Sequence, residues 1–181
     1  MAHRTHIALL RGINVGGRNR LPMEDLRSLV EQAGGERPRT YIQSGNVVFE
    51  ASAPVAKQFA TDLESLLEER VGVKSPVVVR SAAEIEAVPD AVPFSGPQAD
   101  PASLHVMFLA AQPTKARAAA LDPSRSPGDR FGLVGREIYL HLPRGVARTK
   151  LTNAYFDSIL GTLSTARNWR TVQTLIGMCA V

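Results

Sequence analysis

The sequence predicts an α+β fold of two successive subdomains, each a split β-α-β unit with an antiparallel-containing sheet. Three observations predict it. The hydrophobic pattern of the first half reads as β-α-β-β-α-β. A stretch carrying four prolines, Pro89–Pro101, then interrupts the pattern. Beyond it the order β-α-β-β recurs, followed by two helices. With 181 residues, two small subdomains can each bury a core.

The elements follow in order. His6–Arg11 (HIALLR) is apolar and runs into Gly12, so it reads as a first strand. Pro22 suits the first turn of a helix, where its missing N–H costs nothing. Glu24 and Asp25 then sit near the positive end of that helix dipole. Met23, Leu26, Leu29, Val30 and Ala33 share one helical face, and Gly34-Gly35 stops the helix. Thr40–Gln43 and Val47–Glu50 are short β-rich runs joined through Ser44-Gly45, a hairpin signal. Pro54 opens a second helix with a stripe of Val55, Phe59, Leu63, Leu66 and Leu67, closed by Gly72. Pro76–Arg80 (PVVVR) is the next strand, and Ala82–Val88 a short helical piece. This order is the ferredoxin-like split motif.

In the second half Leu104–Leu109 reads as a strand and Pro113–Leu121 as a helix. Arg130–Val134 and Glu137–Leu142 are strands around Gly135. Asn153–Leu160 and Ala166–Met178 form a C-terminal helical pair. The expected boundaries are 1–88 for the first subdomain, 89–101 for a Pro-rich linker and 102–181 for the second. One continuous larger sheet is the alternative.

Composition narrows the function classes. Hydrophobic content of 44% and charged content of 21% are ordinary for a soluble globular protein. No apolar run has the length of a membrane span, so no membrane partner is expected. The apolar run after His6 is too short for a signal-peptide core. A cytoplasmic protein is the expectation. A lone Cys179 excludes intrachain disulfides and multi-cysteine zinc sites. The four histidines lack ligand spacing, and His105 alternates with Met107 and Leu109 along a strand, so no metal or cofactor is expected. No Ser-His-Asp or Cys-His order is readable, which leaves the catalytic residues unknown. The net charge of +4 permits an anionic partner without requiring one.

The sharpest signal is the placement of amide side chains. All five asparagines fall in four short polar stretches: Arg11–Arg20, Gln43–Asn46, Lys150–Asn153 and Thr165–Thr171. Asparagine offers two donors and an acceptor without charge, and it tolerates left-handed turns. In the first stretch Gly12, Gly16 and Gly17 can present backbone N–H groups to an anion, with Arg11, Arg18 and Arg20 supplying charge. It is neither a Walker A loop nor a dinucleotide fingerprint. In the second stretch Gln43, Ser44 and Asn46 occupy the hairpin. In the third, Thr152 caps a helix and Leu151 staples onto Phe156, which leaves Lys150 and Asn153 unexplained. In the fourth, Thr165 reads as the cap of the last helix. That puts Arg167 and Asn168 in a first turn, where a cation opposes the dipole. Trp169 shares a face with Val172, Leu175 and Ile176 and reads as core.

At these four stretches the chain resembles a bacterial family catalogued as domain of unknown function 1697. Its members open with ALLRGINVGG, continue with TYIQSGNVVF, and end with KLTN and T-x-RNW-x-T. Here these are Ala8–Gly17, Thr40–Phe49, Lys150–Asn153 and Thr165–Thr171. The resemblance implies two ferredoxin-like subdomains and no established reaction, substrate or cofactor.

The resulting expectation is a site made by all four stretches that binds a phosphate-bearing partner, either a small molecule such as a nucleotide or a nucleic acid. Arg11, Arg18, Lys150 and Arg167 would meet phosphate oxygens. Gly16 and Gly17 would add backbone donors. Asn14, Gln43, Ser44, Asn46, Asn153 and Asn168 would read neutral polar groups. One rival is an enzyme for a small phosphorylated or carboxylated substrate. The other is a purely structural role, in which the stretches lock the two subdomains together. Oligomeric state is not readable.

Overall fold

A computed structural model describes residues 2–94 and 100–180. By their backbone contacts these fall into two units, one formed by 2–86 with 175–180 and the other by the described residues of 87–174.

The first unit opens with strand β1 (Arg4–Leu10), followed by helix α1 (Met23–Gln32), strands β2 (Glu36–Tyr41) and β3 (Asn46–Ala51), helix α2 (Ala53–Val71) and strand β4 (Val77–Ser81). The short helix α3 (Ala82–Glu86) comes next. The sheet order is β2-β3-β1-β4, and every neighbouring pair is antiparallel. Alternation places Ala8, Leu10, Val47, Phe49 and Ala51 on the face that meets the helices. Leu26, Leu29 and Val30 of α1 and Phe59, Leu63 and Leu67 of α2 close this core. The Phe49 and Phe59 rings stack with centroids 4.0 Å apart. The stripes read from the sequence are therefore the ones that pack. Strand β2 begins earlier than expected, at Glu36, with a bulge between Glu36 and Arg39 where Arg37 adopts a positive φ.

The second unit repeats this plan. It contains strand β5 (Leu104–Leu109), helix α4 (Lys115–Ala119), strands β6 (Arg130–Val134) and β7 (Glu137–His141), helix α5 (Asn153–Leu160) and strand β8 (Ser164–Asn168). Helix α6 (Trp169–Cys179) ends the chain. The sheet order is β6-β7-β5-β8, again antiparallel throughout. Counted within each unit, both sheets run second, third, first, fourth strand. The chain is thus an α+β fold of two ferredoxin-like units.

Strand β8 corrects the expected C-terminal helical pair. Thr165 does not cap a helix; it pairs with Phe108 in the sheet, and α6 starts only at Trp169. The expected helical region had absorbed the fourth strand of the second unit. Two further helices are shorter than expected. Helix α4 starts after Thr114, whose hydroxyl accepts from the Arg117 N–H at 3.3 Å. Helix α3 stops at Glu86.

The segment expected to be a linker has local structure at both ends, with 3-10 turns at Pro89–Ala91 and Pro101–Ser103. Residues 95–99 of that expected linker lie outside the described residues. The part before them lies against the second sheet. The Tyr139 hydroxyl donates to the Val88 carbonyl at 3.0 Å, and Phe94 approaches the His141 ring. Burial pushes the Tyr139 phenol up to about 12. Its ionisation in the unfolded chain comes first, near 10.0. Tyr139 therefore supports the fold below pH 10 and withdraws that support as pH rises towards 12. We predict that Tyr139→Phe costs about 0.5–1.5 kcal/mol in urea denaturation at neutral pH, because the Val88 carbonyl loses one of its two donors and keeps only the Ala91 N–H at 3.3 Å. A variant with unchanged stability would contradict the contact.

Candidate functional site

The first two polar stretches meet at one end of the first sheet. Strand register requires this: Leu9 pairs with Asn46, so the exit of β1 and the start of β3 are neighbours. Asn14 joins the two stretches. Its Nδ2 donates to the Gln43 carbonyl at 2.8 Å and to the Leu21 carbonyl at 2.9 Å. Its Oδ1 accepts from the Leu21 N–H at 2.8 Å. Asn14 itself has φ of 55°, a left-handed conformation that asparagine tolerates better than most residues. Asn19 adds a second internal tie, donating from Nδ2 to the Gly12 carbonyl at 3.0 Å.

Between these ties the chain makes a small exposed hairpin. Arg18 N–H donates to the Val15 carbonyl at 3.0 Å. Gly16 and Gly17 between them have φ of 57° and 76°, the signs of a type I′ turn. Arg18 and Arg20 are exposed, and neither has an ion-pair partner among the described residues. Arg11 is half-buried; its backbone N–H donates to the Pro76 carbonyl and its carbonyl accepts from the Ser75 hydroxyl. The nearby start of α1 has Pro22 before it and Glu24 and Asp25 in its first turn. Those carboxylates offset the positive helix end, so Arg18, Arg20 and the turn amides are the groups left for an anion.

Asn46 lies inside its own hairpin. It is fully buried, and Nδ2 donates to the Ser44 hydroxyl at 2.8 Å and the Tyr41 carbonyl at 3.2 Å. It closes the hairpin from inside. The Gln43 side chain is exposed and the Ser44 hydroxyl is occupied by Asn46. Sequence reasoning missed Ile42, which has φ of 48° and is 52% exposed. A β-branched residue in that conformation is strained. No composition signal marks it.

The other two stretches meet in the second unit. Thr152 caps α5, accepting from the Tyr155 N–H at 3.2 Å, and Leu151 joins the same core as Phe156. Asn153 Nδ2 donates to the Ser164 hydroxyl at 2.8 Å, and Ser164 donates onward to Asp157 Oδ1 at 2.6 Å. This ties the start of α5 to the start of β8. Lys150 is exposed, and its backbone N–H donates to the Ser126 hydroxyl.

Arg167 and Asn168 lie at the end of β8 and not in a helical first turn, which corrects the dipole conflict expected there. Asn168 is the true cap of α6, with Oδ1 accepting from the Thr171 N–H at 2.8 Å. Arg167 is buried, and its guanidinium donates to the Thr165 hydroxyl and the Ala166 carbonyl, both at 2.8 Å. Burial lowers its pKa to about 10, which still leaves it charged at neutral pH. Strand alternation puts Thr165 and Arg167 on one face of the sheet and Ser164, bonded to Asn153, on the other. Arg167 and Asn153 therefore do not share a face. Trp169 is buried, as core was expected to be. Burial raises the Cys179 thiol to about 11, so it is protonated at neutral pH and a poor nucleophile.

A cavity of about 210 Å³ opens beside the Lys150–Asn153 stretch. Asn153, Leu151, His105, Met107, Leu140 and Ala166 are among its walls. His105 is the site residue that sequence reasoning passed over. The available signal was its alternation with Met107 and Leu109, which places it on the core face of β5. Among the described residues no group of His, Cys, Asp and Glu is arranged to hold a metal.

Residues 3–139 match the family model described as "Protein of unknown function (DUF1697)". The chain belongs to this family. The matched span of DUF1697 holds the first two polar stretches and ends before the other two. Among solved structures, the chain is similar to the conserved bacterial protein SP0830 from Streptococcus pneumoniae, with a TM-score of 0.67 and 23% identity. That match covers 98% of this chain and 99% of the other, and it shows the fold. Among curated proteins none matches at a significant level. Family and fold are thus shown for this DUF1697 member, and its function is unknown. Among the described residues no helix is long and apolar enough to cross a membrane.

Proposed function

We propose that the chain binds a phosphate-bearing ligand, a nucleotide or a nucleic-acid backbone, on the exposed turn within Arg11–Arg20. One observation supports the reading above the others. Asn14 spends all three of its side-chain hydrogen bonds on holding this loop to Leu21 and Gln43, while Arg18 and Arg20 stay exposed and without an ion-pair partner among the described residues. A loop whose backbone is fixed from below loses little further backbone entropy on binding, so that mainly the arginine side chains are ordered by the ligand. The asparagines then act as clamps, and the arginines and the Gly16 and Gly17 amides meet the anion. Arg suits this role through bidentate contacts with phosphate. Lys150 is exposed and offers a further cation in the second unit. A cytoplasmic setting, rich in nucleotides and nucleic acids, fits the same reading.

A structural role has its own support: Asn14, Asn46, Asn153 and Asn168 each bond within their own unit. Titration of inorganic phosphate, ADP and a short single-stranded RNA into wild type and Arg18→Ala/Arg20→Ala separates the two. The binding reading predicts saturable association that weakens by about 1.5–3 kcal/mol per charged hydrogen bond lost. A steep fall with salt identifies a nucleic-acid backbone, since several phosphate contacts release several counterions. No saturable binding by any of the three would leave the structural role alone.

A further inference from the structure

The cavity beside Asn153 has a chemistry of its own, separate from the cationic turn. Its walls are mostly apolar: Met107, Leu140, Leu151 and Ala166 supply much of the surface. No ionised side chain lines it, because the one titratable group there, His105, is kept neutral by burial, which lowers its pKa from 6.5. An ion entering such a space would give up hydration without a counter-charge.

Four polar side chains line the walls: the hydroxyls of Thr149 and Thr152, and Asn153 and His105, which offer acceptors. The orientation of the Asn153 amide is fixed by chemistry. Ser164 donates its only hydroxyl proton to Asp157 at 2.6 Å, so towards Asn153 it can only accept. The nitrogen of Asn153 must therefore face Ser164, as observed at 2.8 Å. That leaves Oδ1 as the group Asn153 offers elsewhere, and it makes no hydrogen bond among the described residues. His105 Nδ1 lies 3.4 Å from the Ser103 carbonyl, the position for a ring proton, which leaves Nε2 as a second acceptor.

We propose that this cavity is a binding site for a small, uncharged aromatic molecule that donates a hydrogen bond through N–H or O–H. Apolar walls take the ring, and Asn153 Oδ1 or His105 Nε2 takes the proton. The volume lies between the ~150 Å³ of an apolar cavity that holds benzene and the ~300 Å³ floor of drug-sized pockets. One or two fused rings therefore fit. Asn153 belongs to the Lys150–Asn153 stretch and bonds Ser164, the first residue of β8, so the proposal gives that amide a ligand-facing use.

Indole is a suitable probe, with indene as its isostere lacking the N–H and benzoate as its charged counterpart. The test is a titration of the full chain, read by the methyl resonances of Met107 and Leu151. Indole is expected to shift both saturably. Indene is expected to bind at least about tenfold more weakly, since it brings no donor for Asn153 Oδ1 or His105 Nε2. Benzoate is expected to leave the methyls unmoved. Ala166→Leu, which fills the cavity, should abolish the indole shift. Nuclear Overhauser contacts from indole to the Met107 methyl provide the same test in wild type if that variant fails to fold. Unsaturable shifts, equal binding of indene or benzoate, or absence of those contacts would each overturn the proposal.

Discussion

Replacing Gly45 by alanine is expected to destabilise the protein by about 2–5 kcal/mol. Two independent penalties act at that residue. Gly45 has φ of 74°, and a side chain in that left-handed region costs about 1–2 kcal/mol. A Cβ there would also sit 2.7 Å from the Leu10 Cβ and 3.4 Å from the Leu10 carbonyl oxygen. Leu10 is fully buried, so relieving the overlap means moving the core, at a further cost of about 1–3 kcal/mol. The Gly45 carbonyl accepts from the Leu10 N–H at 2.8 Å, so the displaced atoms include the sheet's own hydrogen bond. Urea denaturation followed by circular dichroism measures the effect. A loss below about 0.5 kcal/mol, within the usual range for harmless surface changes, would contradict this geometry.

Asn14→Ala is expected to cost a similar amount, about 2–4 kcal/mol, for a different reason. Three hydrogen bonds disappear, each worth about 0.5–1.5 kcal/mol net. Alanine also tolerates φ of 55° less well than asparagine. Asn14→Asp is the informative companion. It keeps an acceptor for the Leu21 N–H but turns an oxygen towards the Leu21 and Gln43 carbonyls. The aspartate variant is therefore expected to be no better than alanine at neutral pH. Faster amide exchange at Leu21 in both variants would locate the loss in the loop. Wild-type exchange at Leu21 combined with global destabilisation would place the role of Asn14 elsewhere.

Most of the fold was legible because its core faces are periodic. The α1 stripe of Leu26, Leu29 and Val30 and the α2 stripe of Phe59, Leu63 and Leu67 pack as their spacing requires. Strand β8 was illegible because neither of its faces is a run of apolar side chains. Ser164 is spent on Asn153 and Asp157, and Arg167 on Thr165. Such a strand is held by its register with β5, where Leu109 pairs with Ser164 and Met107 with Ala166. Pairing with a strand some sixty residues earlier leaves no local trace. Thr165 and the Trp169-Val172 spacing supplied a competing local signal, and helical periodicity prevailed in the reading.

The polar stretches were legible as places and not as roles. Clustering of the asparagines points to loops, where Asn14 bonds the Leu21 and Gln43 backbone and Asn46 bonds the Tyr41 carbonyl and the Ser44 hydroxyl. Asparagine serves a turn and a ligand with the same atoms. Only coordinates distinguish the cap at Asn168 from a ligand contact. His105 shows the same limit. A histidine in a period-two apolar run looks like core, and only the cavity beside it reveals a free ring nitrogen.

The central claim is that the asparagine clamps present a rigid cationic turn to a phosphate-bearing ligand. The most direct measurement is the amide spectrum of Gly16 and Gly17 during titration with inorganic phosphate, then with ADP. The account predicts saturable downfield shifts at both glycines, as expected for backbone N–H groups that begin to donate to an anion. It predicts the loss of those shifts in Arg18→Ala/Arg20→Ala while the rest of the spectrum stays unchanged. Glycine amides that do not move with either ligand, in a protein whose Asn14 clamp is intact, would contradict it.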